Sequence, residues 1–97
     1  MKEILLGTKD QFTTFPAEVH VQGRAYFLTE ADGTYQLLSS VCPHSGYTIE
    51  LENGELECPM HGWTFELHTG RCHNVPSARL ASYDVIHKDS SLFAIMA

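Results

Sequence analysis

Residues 42–61 read Cys42-Pro43-His44, then thirteen residues, then Cys58-Pro59-Met60-His61. Each short segment offers one sulfur and one imidazole. A thiolate prefers soft metal and a neutral imidazole borderline metal, so two Cys and two His in alternating order form a strong metal-site signature. Any fold this chain adopts must bring those two segments together on rigid supports.

A structural zinc finger takes a pair of Cys followed later by a pair of His, with about two to five residues inside each pair. Here the order is Cys, His, Cys, His, and only Pro43 separates the first two. Cys42 and His44 are poorly placed to chelate one tetrahedral ion. They reach two adjacent ions more easily, each segment sending its Cys to one and its His to the other. That is the arrangement of a Rieske 2Fe-2S centre, in which two His replace two Cys on one iron. A zinc ion on the same four residues, or a chance gathering of Cys and His in a core, are the competing readings.

The chain resembles the Rieske family in its small, soluble, ferredoxin-like form. The likeness lies in Cys42-Pro43-His44-Ser45-Gly46, in Cys58-Pro59-Met60-His61-Gly62-Trp63-Thr64-Phe65, in Glu66-Leu67-His68-Thr69-Gly70 and in Val75-Pro76. It implies a 2Fe-2S cluster held by Cys42, His44, Cys58 and His61. It also implies an all-β fold of small antiparallel sheets, with a cluster-binding subdomain formed by the two loops over approximately residues 40–78. The thirteen residues between His44 and Cys58 are fewer than most members carry, which reads as a shortened hairpin. In membrane-bound respiratory relatives two further Cys cross-link the loops; the matching positions here hold Tyr47 and Met60, so no such bridge can form.

At 97 residues the chain is read as one domain, residues 1–97, with no room for a second catalytic unit. Residues 1–7 carry an early acid and no apolar run of signal-peptide or membrane-span length, so the expectation is a soluble, cytoplasmic monomer. Three cysteines, two of them claimed as ligands, do not make a disulfide framework. The third, Cys72, reads as a buried thiol acting as a small hydrophobe. A net charge of −6 argues against a nucleic-acid partner and favours a basic protein partner.

Periodicity along the chain is that of strands. Residues 2–6 read as a first strand and residues 8–16 as an irregular connection. Alternation through Val19 and Val21, interrupted by Gln22-Gly23, predicts a hairpin, and Asp32-Gly33 predicts a second turn. Residues 35–41 read as an apolar strand running straight into Cys42. Asn53-Gly54 is the strongest hairpin signal. It sets Glu52 opposite Glu55, Leu51 opposite Leu56 and Glu50 opposite Glu57, with Ile49 facing Cys58. The apolar face should then point inward and four carboxylates crowd the other face, either as a solvated acidic surface or as a docking patch for a basic redox partner. Residues 63–67 alternate and stop at His68-Thr69-Gly70. Residues 71–78 lack a period, and the family resemblance makes them a cover over the cluster, where His73 lies on the surface or near the cluster. Residues 83–87 and 92–96 are the last two strands. His20, His68 and His87 receive no role.

Replacing two thiolates by neutral imidazoles leaves the oxidised core less negative than an all-Cys cluster, which raises the potential into a range of roughly −150 to +300 mV. High-potential relatives place a Ser directly after the His-Gly of the second loop and a Tyr two positions later. This chain has Trp63 and Phe65 there, which bring no hydroxyl, so the low end of the range is expected. His44 and His61, if their outer nitrogens reach solvent, should couple electron to proton uptake at high pH. The resemblance therefore implies an electron carrier rather than an enzyme, passing electrons from a flavin-dependent reductase to a Rieske-type oxygenase. The alternative is the small subunit of an assimilatory nitrite reductase, bound to its large subunit. A terminal oxygenase would need a mononuclear iron site of two His and one carboxylate on additional sequence.

Overall fold

A computed structural model describes residues 2–43, 46–60 and 62–96. Turn chemistry sets its framework. At Gln22-Gly23, Asp32-Gly33, Asn53-Gly54 and Asp89-Ser90 both central residues have positive φ, between 51° and 83°. Such mirror-image turns match the right-handed twist of the strands they join, and so favour two-residue hairpins. The strands are β1 (Lys2–Thr8), β2 (Ala17–Val21), β3 (Arg24–Ala31), β4 (Thr34–Ser39), β5 (Glu50–Glu52), β6 (Glu55–Cys58), β7 (Trp63–Phe65), β8 (Ser82–Lys88) and β9 (Ser91–Met96). One short 3-10 turn, Lys9–Gln11, follows β1.

Six strands form an antiparallel sheet in the order β1-β9-β8-β4-β3-β2, and three form a second in the order β5-β6-β7. Because β4 and β8 are neighbours in the larger sheet, residues 40–81 are an excursion that leaves its middle and returns beside the point of departure. The larger sheet curls around one core. Val19 and Val21 from one edge strand share it with Leu28, Leu37, Leu92 and Ala94, while Ile4 and Leu6 from the opposite edge pack against it.

The excursion is held by a second core on the other face. On β3, four consecutive residues, Tyr26, Phe27, Leu28 and Thr29, are buried, which requires cover on both faces of the strand. Tyr26 and Leu28 serve the first core. Phe27 and its cross-strand partner Leu38 serve the second, with Cys42, Ile49, Leu56, Cys58, Phe65, Cys72 and Leu80. Burying side chains of the size of Phe27 and Leu38 contributes on the order of 1.5–3 kcal/mol each.

The Asn53-Gly54 register is as the alternation requires: Glu50↔Glu57, Leu51↔Leu56 and Glu52↔Glu55. Three expectations change. Leu51 stands 41% exposed although its partner Leu56, on the same face, is buried, because β5 is the end strand of its sheet and lies at the margin of that core. Ile49 is buried in the same core as Cys58 without pairing with it; its N–H bonds to Ser40 O at 2.6 Å. The strands expected at 35–41 and 63–67 end at Ser39 and Phe65, where backbone groups turn to loop partners.

Two glycines with the same backbone angle separate two requirements. Gly54 (φ +79°) has nothing near a would-be Cβ, whereas Gly70 (φ +78°) would press a Cβ to 3.2 Å from both Leu38 Cδ2 and Leu80 Cβ. Gly54→Ala should cost about 1–2 kcal/mol for the left-handed backbone alone. Gly70→Ala should cost a further ~1–3 kcal/mol, because it also overpacks the second core. Urea unfolding of both variants checks this, and equal losses would contradict the close approach.

Candidate metal centre

Both Cys-containing loops are built alike. In the first, Cys42 N–H donates to Tyr47 O at 2.8 Å and Gly46 N–H donates back to Cys42 O at 2.9 Å. In the second, Gly62 N–H donates to Cys58 O at 2.9 Å. Each loop thus opens on a Cys and closes four residues later on a glycine of positive φ, 77° at Gly46 and 74° at Gly62. Both glycines were part of the motif, and the left-handed angle explains why the position favours that residue. The supports differ: an isolated bridge between Val41 and Thr48 closes the foot of the first loop, while the second joins the paired strands β6 and β7. Ser40 Oγ donates to Ala25 O at 2.7 Å, tying the root of the first loop to β3.

Cys42 and Cys58 are both buried, at 1% and 0% exposure, and belong to one apolar core. None of the three cysteines is in a disulfide. By contrast, Pro43, Tyr47, Pro59 and Met60 in the same loops are exposed. His44 and His61, the imidazoles of the expected ligand set, lie outside the described residues. Among the described residues no three His, Cys, Asp or Glu side chains converge on a metal position.

Over the core runs the aperiodic segment 71–79, fastened to β7 at Thr64 by three hydrogen bonds. His73 N–H donates to Thr64 O at 2.8 Å, Thr64 N–H donates to Asn74 Oδ1 at 3.0 Å, and Thr64 Oγ1 lies 3.1 Å from His73 Nδ1. The segment carries Cys72 into the same core as the other two cysteines, where Sγ accepts Val75 N–H at 3.4 Å.

A family model for the Rieske [2Fe-2S] domain matches residues 3–84. This chain belongs to the Rieske family. Its cofactor is a 2Fe-2S cluster with two Cys and two His ligands. The same fold is found in the ferredoxin of carbazole 1,9a-dioxygenase from Nocardioides aromaticivorans IC177, at 22% identity over 97% of each chain and a TM-score of 0.67. It is found in the Sphingomonas yanoikuyae B1 ferredoxin, at 21% identity over 99% of this chain and 100% of that one, TM-score 0.70. A putative nitrite reductase NADPH (small subunit) oxidoreductase protein shares it at 20% identity, over 99% of this chain and 100% of that one, TM-score 0.65. No curated protein matches by sequence.

The residues present fit such a cluster. Two thiols that share an apolar core, each at the head of a tight turn, suit soft metal in a low-dielectric setting. Among the described residues no helix is long and apolar enough to cross a membrane. Two contacts of this Rieske domain had no sequence signal beyond turn residues. His68, given no role, places Nδ1 3.2 Å from Thr29 Oγ1 and so joins the excursion to the buried middle of β3. Thr64 and Asn74 fasten the cover, and nothing in the spacing foretold their pairing.

Glu66 closes the turn after β7. Its Oε1 accepts N–H of Thr69 at 2.6 Å and N–H of His68 at 2.9 Å, and Gly70 N–H returns to Glu66 O. The Thr69 N–H, more than the His68 N–H, holds the carboxyl below its usual 4.5 against the opposing effect of partial burial. A depressed carboxylate stabilises the fold above its unfolded value and loses that contribution as pH falls through the folded one. Glu66→Gln should therefore be less stable than wild type at pH 7, with a gap that closes as the pH drops below 4.5. Urea midpoints measured across that interval test it, and a gap independent of pH would contradict the charge-assisted turn.

Proposed function

We propose that this chain is a one-electron carrier of the cytoplasm, a low-potential ferredoxin that takes electrons from a flavin-dependent reductase and delivers them to a Rieske-type oxygenase. In this reading Cys42 and Cys58 give thiolates to one iron, and His44 and His61 give imidazoles to the other. The cluster, when bound, accepts and releases single electrons. One contrast carries the reading: both cysteines are buried, yet the residues beside them are open, with Tyr47 at 48% and Met60 at 54% exposure. Sulfur ligands are thereby shielded from water while the site lies within a thin shell of the surface, as a carrier requires. The fold shared with two ferredoxins agrees with it.

The chain's own residues hold and tune the site. Apolar Phe65, Ile49 and Leu56 exclude water behind the loops. Trp63 and Phe65 occupy positions where high-potential relatives carry hydroxyl donors to sulfur, so the potential should lie near about −150 mV. A nitrite reductase small subunit is the second reading. The shared fold of such a protein favours it, as do exposed apolar residues Val41, Tyr47 and Met60 around the loops.

In the ligand assignment, Cys42→Ser and Cys58→Ser should each lose most of the bound iron, whereas Cys72→Ala should retain iron and potential unchanged. Voltammetry on the wild type should return a value near the low end of the Rieske range; one well above zero would refute the argument from Trp63 and Phe65. A carrier should elute as a monomer and exchange electrons at a rate that falls with salt, whereas a fixed subunit should copurify with a large partner.

A further inference from the structure

The excursion does not lie flat on the larger sheet. A groove of about 470 Å³ separates β5 from the outer face of β2 and β3. Phe27 and Ile49, both buried, line its floor; Leu51, 41% exposed, lines one bank. Glu50 and Glu52 stand on that bank, and Glu18, the cross-strand partner of Phe27, stands on the other. Both flanking strands, β5 and β2, end their sheets.

We propose that this groove docks an extended, basic segment of the redox partner. The inference rests on the carrier reading for what the partner does, and on the groove for its chemistry. Charge complementarity names the occupant. Glu50 and Glu52 face Glu57 and Glu55 across the hairpin, like charges in direct opposition, an arrangement that lowers stability. Among the described residues no Lys or Arg forms an ion pair with any of these four, and Glu18 meets only the imidazole of His20, at 3.5 Å. A second copy of a chain of net charge −6 brings more carboxylates and is repelled. Nucleic acid is repelled for the same reason.

The backbone adds a direction. In a two-residue hairpin closed by Glu52 and Glu55, the Leu51↔Leu56 pair is the non-hydrogen-bonded one, so the N–H and C=O of Leu51 point off the edge of the sheet. Residues 48–52 border the groove, a length of roughly 16 Å in extended chain. A segment of about five residues, with an apolar side chain over Leu51 and Phe27 and a cation to either side, satisfies both banks and can pair with Leu51 as an added strand.

The test uses the iron-loaded protein and a fluorescent Lys-Val-Arg-Val-Lys peptide, followed by anisotropy at low salt. Glu18→Gln/Glu50→Gln/Glu52→Gln should weaken binding about tenfold. Asp10→Asn/Asp32→Asn/Asp89→Asn removes the same charge elsewhere and should weaken it about twofold or less. Leu51→Ala, with no change of charge, should weaken it about threefold. Equal losses from the two triple variants mean that net charge alone attracts the peptide, and overturn the proposal. So does binding that only Tyr47 or Met60 substitutions in the loops disturb, or no binding by the wild type. The visible spectrum of the same samples separates the two readings. An intact cluster with no groove binding removes the groove and leaves the carrier, whereas protein that never takes up iron removes the carrier.

Discussion

The contact between Phe27 and Leu38 is the constraint on which the site depends. These two side chains face away from the core of the curled sheet, and without a cover they would leave a large apolar patch in water. The excursion between β4 and β8 supplies that cover with Ile49, Leu56, Phe65 and Leu80, and with three cysteines. The candidate ligands Cys42 and Cys58 and the fold thus draw on one apolar mass. The side chains of Cys42 and Cys58 are almost wholly enclosed by it, at 1% and 0% exposure, and each heads a short turn closed by a glycine.

That arrangement divides the labour. The interior encloses the cysteine side chains, while Pro43, Tyr47, Pro59 and Met60 stand open. Turns with positive-φ glycines repeat at Gly46, Gly62 and Gly70, each accepting the sharp reversal that follows Cys42, Cys58 and Glu66. The first two close the Cys loops; the third brings the covering segment back under Leu38 and Leu80. His68, through Thr29, adds a polar link between the excursion and the larger sheet at a distance from the cysteines.

Much of this was legible in the residues, for reasons that differ by element. Hairpins announced themselves because Gln-Gly, Asp-Gly and Asn-Gly demand left-handed angles that few other pairs tolerate. The two Cys-containing turns were legible because Pro and Gly flank each cysteine, Pro43 and Gly46 in the first and Pro59 and Gly62 in the second. Burial on both faces of β3 and β4 showed only as apolar runs, which do not say what covers each face. Exposure of Leu51 was misread for a related reason: alternation gives the face of a hairpin, not how far cover extends toward its edge strand. The Thr64, His73 and Asn74 fastening was invisible, since it joins a strand residue to two positions of an aperiodic segment through polar groups that would suit any loop.

At the centre of the account is the claim that two turns, backed by one shared core, hold a pair of iron ions with unequal ligands. Iron and acid-labile sulfide assayed per chain, on protein prepared without oxygen, address it most directly. Two irons and two sulfides per chain are the expected result. A single zinc with no sulfide, or no metal at all in protein that is otherwise folded, would contradict it.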